Sequence, residues 1–152
     1  MNAKEIMITD VKSISPGAVA KDALEILHNA RLNSLPVIDK RGKPVGMFTE
    51  KNILSYMLPS YLARVGKFVY EENPKVLKTK FAELSQVKVK QLMQKEVNTV
   101  TEETSLWEMA KLMMTREHTP RVLIVVSQEG KMIGIVTRSD LLRALAKIAE
   151  VS

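Results

Sequence analysis

The chain has 152 residues, of which 45% are hydrophobic and 26% charged, and it carries a formal net charge of +6 at pH 7. A chain of that length buries roughly 70% of its unfolded surface, and the composition is that of an ordinary globular protein, so dominant disorder is excluded. The absence of cysteine excludes disulfides and thiolate metal sites.

Met1 to Val11 lacks the apolar stretch of a signal peptide. The longest purely aliphatic run, Val122 to Val126, is too short to cross a bilayer. The expected setting is the cytoplasm, without a membrane partner. The lysines are spread out, most densely from Lys75 to Lys95, and form no consecutive basic block. A solvated basic surface is the default reading of that charge, and attraction for nucleotide phosphates or nucleic acid is the sharper one.

A short strand is expected over Val11 to Ser15. A helix follows, in which Val19, Ala23, Ile26, Leu27 and Ala30 recur at steps of three and four. Two strands, Leu35 to Ile38 and Val45 to Phe48, flank the polar turn Asp39 to Lys43, whose late glycine suits a hairpin needing positive φ. A second helix begins near Glu50. The segment from Pro59 to Ser85 holds Tyr61, Phe68, Tyr70 and Phe81, and should contain helical pieces. It reads as a linker packed on the core or, alternatively, as a docking surface anchored by aromatics.

The same order then returns. A strand is expected over Val97 to Thr101, followed by a helix through Leu106, Met109, Ala110, Leu112 and Met113, with Ser105 and Glu108 in capping-box spacing. Strands Arg121 to Val126 and Met132 to Val136 flank the turn Ser127 to Lys131, and a closing helix starts near Arg138. Gly42-Lys43-Pro44-Val45-Gly46-Met47-Phe48-Thr49 matches Gly130-Lys131-Met132-Ile133-Gly134-Ile135-Val136-Thr137 at one constant offset. Met7 to Ile14 matches Met93 to Val100 at an offset about two residues shorter, which places a small insertion near His118 to Val122. The chain is therefore read as an α/β (α+β) protein of two tandem β-α-β-β-α repeats, residues 1–58 and 87–152, with a helical segment 59–86 between them. A unit this small cannot bury both faces of its sheet alone, so two copies packed sheet against sheet are expected.

Each hairpin runs straight into a helix: Gly134-Ile135-Val136-Thr137-Arg138-Ser139-Asp140 in one copy, Gly46-Met47-Phe48-Thr49-Glu50-Lys51-Asn52 in the other. A helix N-terminus favours phosphate, and a carboxylate three residues after a hydroxyl can accept hydrogen bonds from a ribose diol. Thr137 with Asp140 is equally the spacing of a capping box that merely starts a helix.

Leu35-Pro36-Val37-Ile38-Asp39 followed by Gly46-Met47-Phe48-Thr49, together with Gly134 to Asp140, resembles a pair of CBS (cystathionine β-synthase-type) domains. The resemblance covers nearly the whole chain outside the aromatic segment. It implies a pseudo-two-fold pair with two clefts that binds AMP, ADP or ATP, in some members S-adenosylmethionine, and forms a homodimer. It implies that Thr137 and Asp140 hold the ribose, that Arg138 reaches a phosphate, and that the base lies against backbone near Thr99, Val100, Arg121 and Val122. The other cleft would use Ser13, Ile14, Leu35, Val37, Thr49 and Asn52. Asn52 stands where the motif has aspartate, and Arg121-Val122-Leu123-Ile124 replaces the Leu-Pro-Val run. One strong site around Asp140 and one weak or empty site are expected, and Asp140→Ala should weaken binding while leaving thermal stability nearly unchanged.

Catalysis finds no support: no phosphate-cradling Gly-rich loop, H-E-x-x-H or nucleophile elbow occurs, and His28 and His118 fall in different repeats. No resident cofactor or metal is expected. A protein-contact scaffold without nucleotide, or a basic nucleic-acid binder, are the alternatives. Trp107 is expected in the core.

Overall fold

The computed structural model describes residues 1–58, 74–115 and 120–151. Its elements in chain order are α1 (Ala3–Ile6), α2 (Ala20–Asn29), β1 (Ser34–Ile38), β2 (Pro44–Thr49), α3 (Glu50–Met57), α4 (Pro74–Ala82), a 3-10 turn (Glu83–Ser85), α5 (Val89–Leu92), β3 (Thr99–Thr101), α6 (Leu106–Thr115), β4 (Val122–Val126), β5 (Met132–Thr137) and α7 (Arg138–Val151). Mixed helices and sheets in a doubled order are what the sequence led one to expect. α1 and α2 correspond to α5 and α6 at an offset of 86 residues, and the hairpins and closing helices correspond at 88, so the insertion falls between α6 and β4. His118 itself, like Tyr61, Phe68 and Tyr70, lies outside the described residues.

The chain divides into two compact units. One comprises Met1–Val11, Lys40–Pro44 and Val97–Ser152, and the other Lys12–Asp39 and Val45–Glu96. They are called here the Asp140 unit and the Asn52 unit.

In the Asp140 unit the sheet order is β3-β4-β5, with β3 parallel and β5 antiparallel to β4. Leu106, Met109 and Met113 of α6, spaced for one helix face, close with Leu123, Val125 and Val136 of the sheet and Leu141 and Ala144 of α7 into one core. Trp107 is 66% exposed, which corrects the expectation that it packs inside. Residues 106, 109 and 113 define the buried stripe, and position 107 lies about 100° around the helix from 106.

The core of the Asn52 unit gathers Ala20, Ala23 and Leu27 of α2 with Leu35, Val37, Phe48, Ile53, Met57, Leu84 and Val89. Its first strand is reduced to a single parallel bridge, Ile14 to Val37, where the sequence led one to expect Val11 to Ser15. Ile14 donates to Pro36 O at 3.1 Å, and Ile38 donates to Ile14 O at 2.9 Å. Extending that ladder would require donation from Pro36 on one side and Pro16 on the other, and proline has no N–H. The second copy has Ile124 in place of Pro36, which donates to Asn98 O at 2.9 Å and lets β3 form. The half-exposed Phe81 lies on α4, and that region is tied to α3 where the Tyr56 hydroxyl donates to Glu83. Lys80 Nζ stands 4.1 Å from the Tyr56 ring centre.

Each unit is completed by the stretch that leads into the other repeat. In the Asp140 unit, Ala3 and Lys4 of α1 donate to Thr104 O and Glu102 O, and Ile8 exchanges two hydrogen bonds with Ile135 of β5 at 2.8 and 2.9 Å. In the Asn52 unit, Val89 and Lys90 of α5 donate to Ala18 O and Pro16 O, and Gln94 exchanges two with Met47 of β2 at 2.8 Å. These are the same contacts at equivalent positions.

Glycine makes that approach feasible. A Cβ at Gly134 would lie 2.8 Å from both Ile8 O and Met7 Sδ, and one at Gly46 would lie 2.7 Å from Gln94 O and 2.6 Å from Met93 Sδ. A backbone oxygen this close can yield only if the paired segment moves. Gly134→Ala is therefore expected to destabilise the protein by about 1–3 kcal/mol, the usual cost of overpacking, read as a lowered urea midpoint. A midpoint equal to that of the parent would contradict this account of the glycine.

Candidate functional site

The candidate site is the turn from strand to helix, and the structure shows why the sequence starts a helix there. In the Asp140 unit Thr137 ends β5 and α7 begins at the next residue. The Asp140 N–H donates to Thr137 Oγ1 at 3.3 Å, while the Thr137 N–H and hydroxyl both donate to Asp140 Oδ2 at 2.8 Å. That is a capping box, satisfying amides that a helix start leaves without intrahelical partners.

The second oxygen of Asp140 is engaged differently. Arg143, one turn along α7, places Nη2 2.6 Å from Asp140 Oδ1. Asp140 is 6% exposed and is the one buried charged side chain among the described residues. A buried carboxylate is tolerable only when hydrogen-bonded and paired, and here both conditions hold. The carboxylate keeps acceptor capacity at Oδ1, and Thr137 Oγ1 keeps one lone pair. A hydroxyl pair could thus be received without dismantling the cap.

The Asn52 unit repeats the frame with a neutral group. Asn52 donates through its N–H to Thr49 Oγ1 at 3.3 Å, and its Oδ1 accepts from the Thr49 N–H at 2.8 Å and hydroxyl at 3.1 Å. The position of Asp140 carries an amide in place of a carboxylate, and the position equivalent to Arg143 is Ser55.

The other expected residues distribute as follows. Thr99 and Arg121 are exposed, Val122 is half-buried and pairs with Thr137 across β4 and β5, and Val100 belongs to the core. Arg138 is the first, exposed residue of α7. In the Asn52 unit Ser13 is exposed and Ile14 half-buried, while the side chains of Leu35 and Val37 are fully enclosed, which leaves only their backbone for a ligand. Two recesses touch these residues in the Asp140 unit. One, of about 220 Å³, is lined by Val97, Asn98, Thr99, Leu112 and Leu123, and the other, of about 190 Å³, by Asp140 and Arg143 with residues of α1. Thr99 and Asp140 thus open on different recesses. Arg143 went unnoticed in the sequence, although its place three residues after Asp140 on a helix is a signal that could have found it.

A family model for the CBS domain matches residues 3–59 and 89–147. The chain belongs to the CBS domain family. It is 31% identical over 145 residues to the chloroplastic CBS domain-containing protein CBSX1 of Arabidopsis thaliana, covering 91% of this chain and 61% of that protein, so it spans less than two thirds of that relative. A CBS domain-containing protein of Dictyostelium discoideum is 30% identical over 147 residues, covering 97% of this chain and 92% of the other. Among solved structures, the CBS-pair protein CBSX2 from Arabidopsis thaliana aligns with a TM-score of 0.77 at 25% identity, covering 98% of this chain and 96% of that one. CBSX2 in complex with AMP aligns at 0.73 and 26% identity, covering 97% and 98%. Among the described residues no helix is long and apolar enough to cross a membrane.

The cap revises the expected effect of one substitution. Asp140→Ala removes the reciprocal cap, so it should cost about 1–2 kcal/mol of stability rather than none. Asp140→Asn should cost distinctly less, because Asn52 shows an amide filling the same role. Thermal unfolding of both variants checks the order, and equal losses would contradict it.

Proposed function

We propose that this CBS pair is a regulatory, non-catalytic sensor that binds an adenine nucleotide (AMP, ADP or ATP) at the Thr137–Asp140 junction. The observation that carries the reading is the buried, hydrogen-bonded carboxylate of Asp140 beside Thr137, at the start of a helix. A ribose diol would donate to Asp140 Oδ1 and to Thr137 Oγ1, and the phosphate would lie toward Arg138 and the N-terminus of α7, where helix dipole and cation act in the same sense. The base would rest against backbone around Thr99 and Val122. The AMP complex of CBSX2 supports this choice of ligand class. We further propose that the protein self-associates as a homodimer in the cytoplasm and acts on a protein target.

The second reading is a protein-contact scaffold. It is favoured by Trp107 and Met114 of α6 and Leu142 of α7, large apolar side chains that are each more than 60% exposed.

Calorimetry with AMP separates the two. The parent chain should bind saturably, and Asp140→Asn, which keeps the cap, should lose tenfold or more in affinity, about 1.4 kcal/mol. Unchanged affinity in the variant would mean that Asp140 only starts a helix. No binding of AMP, ADP or ATP to the parent would leave the scaffold reading in its place.

A further inference from the structure

Asp140 is buried, yet the cation that pairs with it is not. The Arg143 side chain is 68% exposed and that of Asp140 only 5%, with Nη2 lying 2.6 Å from Oδ1. Oδ2 is taken up by the amide and hydroxyl of Thr137. A donor arriving at the carboxylate therefore has Oδ1 to use, and Arg143 already stands on it. An exposed arginine can exchange an acceptor at the cost of one ion pair, whereas releasing Oδ2 would undo the helix start.

A displaced guanidinium needs a second partner, and one borders the same space. Arg143 lines a recess of about 190 Å³ together with Glu5 of α1, Asp140 and Lys147. Glu5 Oε1 accepts from the Asn2 N–H at 3.3 Å, and a carboxylate so engaged keeps acceptor capacity at Oε2. The side chains of Arg143 and Lys147 balance the two carboxylates, so Arg143 can pass from one to the other without leaving the recess.

These charges are not required by the helix starts they adjoin. At the positions of Glu5, Asp140 and Arg143 the Asn52 unit has Gln91, Asn52 and Ser55. Its caps form nevertheless: the Lys88 N–H donates to Gln91 Oε1 at 2.8 Å, and the Thr49 N–H to Asn52 Oδ1 at 2.8 Å. Amides therefore suffice for capping, and the three charged groups occur together around one recess.

We infer that Arg143 is an internal competitor for the ribose. In the free protein it occupies Asp140 Oδ1, and a ribose hydroxyl takes its place as Arg143 turns to Glu5. The inference rests on the nucleotide reading of the Asp140 junction and names the two residues that set its affinity. Binding thereby exchanges an ion pair within α7 for one between α7 and α1, which couples the opening segment of the chain to occupancy of the site.

The test is calorimetry on the full chain with AMP and with 2′,3′-dideoxy-AMP, which lacks both ribose hydroxyls. Arg143→Ser should bind AMP about threefold or more tightly than the parent, the scale of one exposed ion pair, with no gain for the dideoxy compound. Loss of an arginine that merely attracts phosphate would instead weaken both. Glu5→Gln leaves Asp140 and Arg143 in place and keeps a cap of the kind Gln91 supplies. It should bind AMP about threefold more weakly than the parent, and should have no effect when added to Arg143→Ser. Arg143→Ser that gains nothing for AMP, equal gains for both compounds, or Glu5→Gln that binds like the parent would each overturn the inference while AMP still binds the parent. Should Arg143→Ser fail to fold, Glu5→Gln alone decides. A parent chain that binds no AMP would overturn the nucleotide reading itself, and this inference with it.

Discussion

The close approach of backbone to backbone at Gly46 and Gly134 is the constraint on which both compact units depend. At each glycine a short leader segment is drawn against the second strand of a hairpin, and any side chain there would fill the space that its carbonyl oxygen occupies. The leader brings with it a one-turn helix, α1 or α5, whose amides bond the turn ahead of α6 or α2. Ala3 and Val89, from those two helices, are fully buried in the respective cores. Each repeat thus lends its opening residues to the other unit, which gives a physical reason for the sequence to occur twice in one chain. A single copy would lack the segment that its own hairpin requires.

The junction after each hairpin serves two purposes at once. In the free protein Thr137 and Asp140 satisfy the start of α7, and Thr49 and Asn52 satisfy the start of α3, so neither junction needs a ligand to be ordered. Groups held in place before binding lose little freedom when a ligand arrives, and such preorganisation favours affinity. The charge of Asp140, its burial and its partner Arg143 distinguish that junction from its neutral counterpart. A helix cap alone has no need of a buried charge, because Asn52 caps as well without one.

Much of the fold was legible in the sequence because the signals were local and doubled. The late glycines of both turns sit at φ of 85° and 83°, as hairpin loops of this length require, and the helices begin at Glu50 and Arg138 as the capping residues indicate. The short first strand was misjudged because its length depends on hydrogen bonds from a distant partner. Pro36 is unremarkable as part of an apolar run, and its missing N–H matters only once Ile14 lies beside it. Trp107 turns outward because the buried stripe of its helix runs through Leu106, Met109 and Met113 and leaves position 107 off it. The close packing at Gly134 was hidden for the same reason as the strand, since Met7 and Ile8 are more than 120 residues away in sequence. Of the site, the Thr137–Asp140 pair was readable from spacing and Arg143 from its place one turn along the same helix, whereas burial of the carboxylate emerges only when α7 packs.

The Asp140 junction is proposed to receive an adenine nucleotide. Amide hydrogen exchange with and without saturating AMP addresses it residue by residue, because bound ligand slows local opening where it makes contacts. Added protection is expected at Thr137 to Leu141 and around Thr99, with Thr49 to Ile53 unchanged. Exchange at Thr137 to Leu141 that is indifferent to AMP would contradict it.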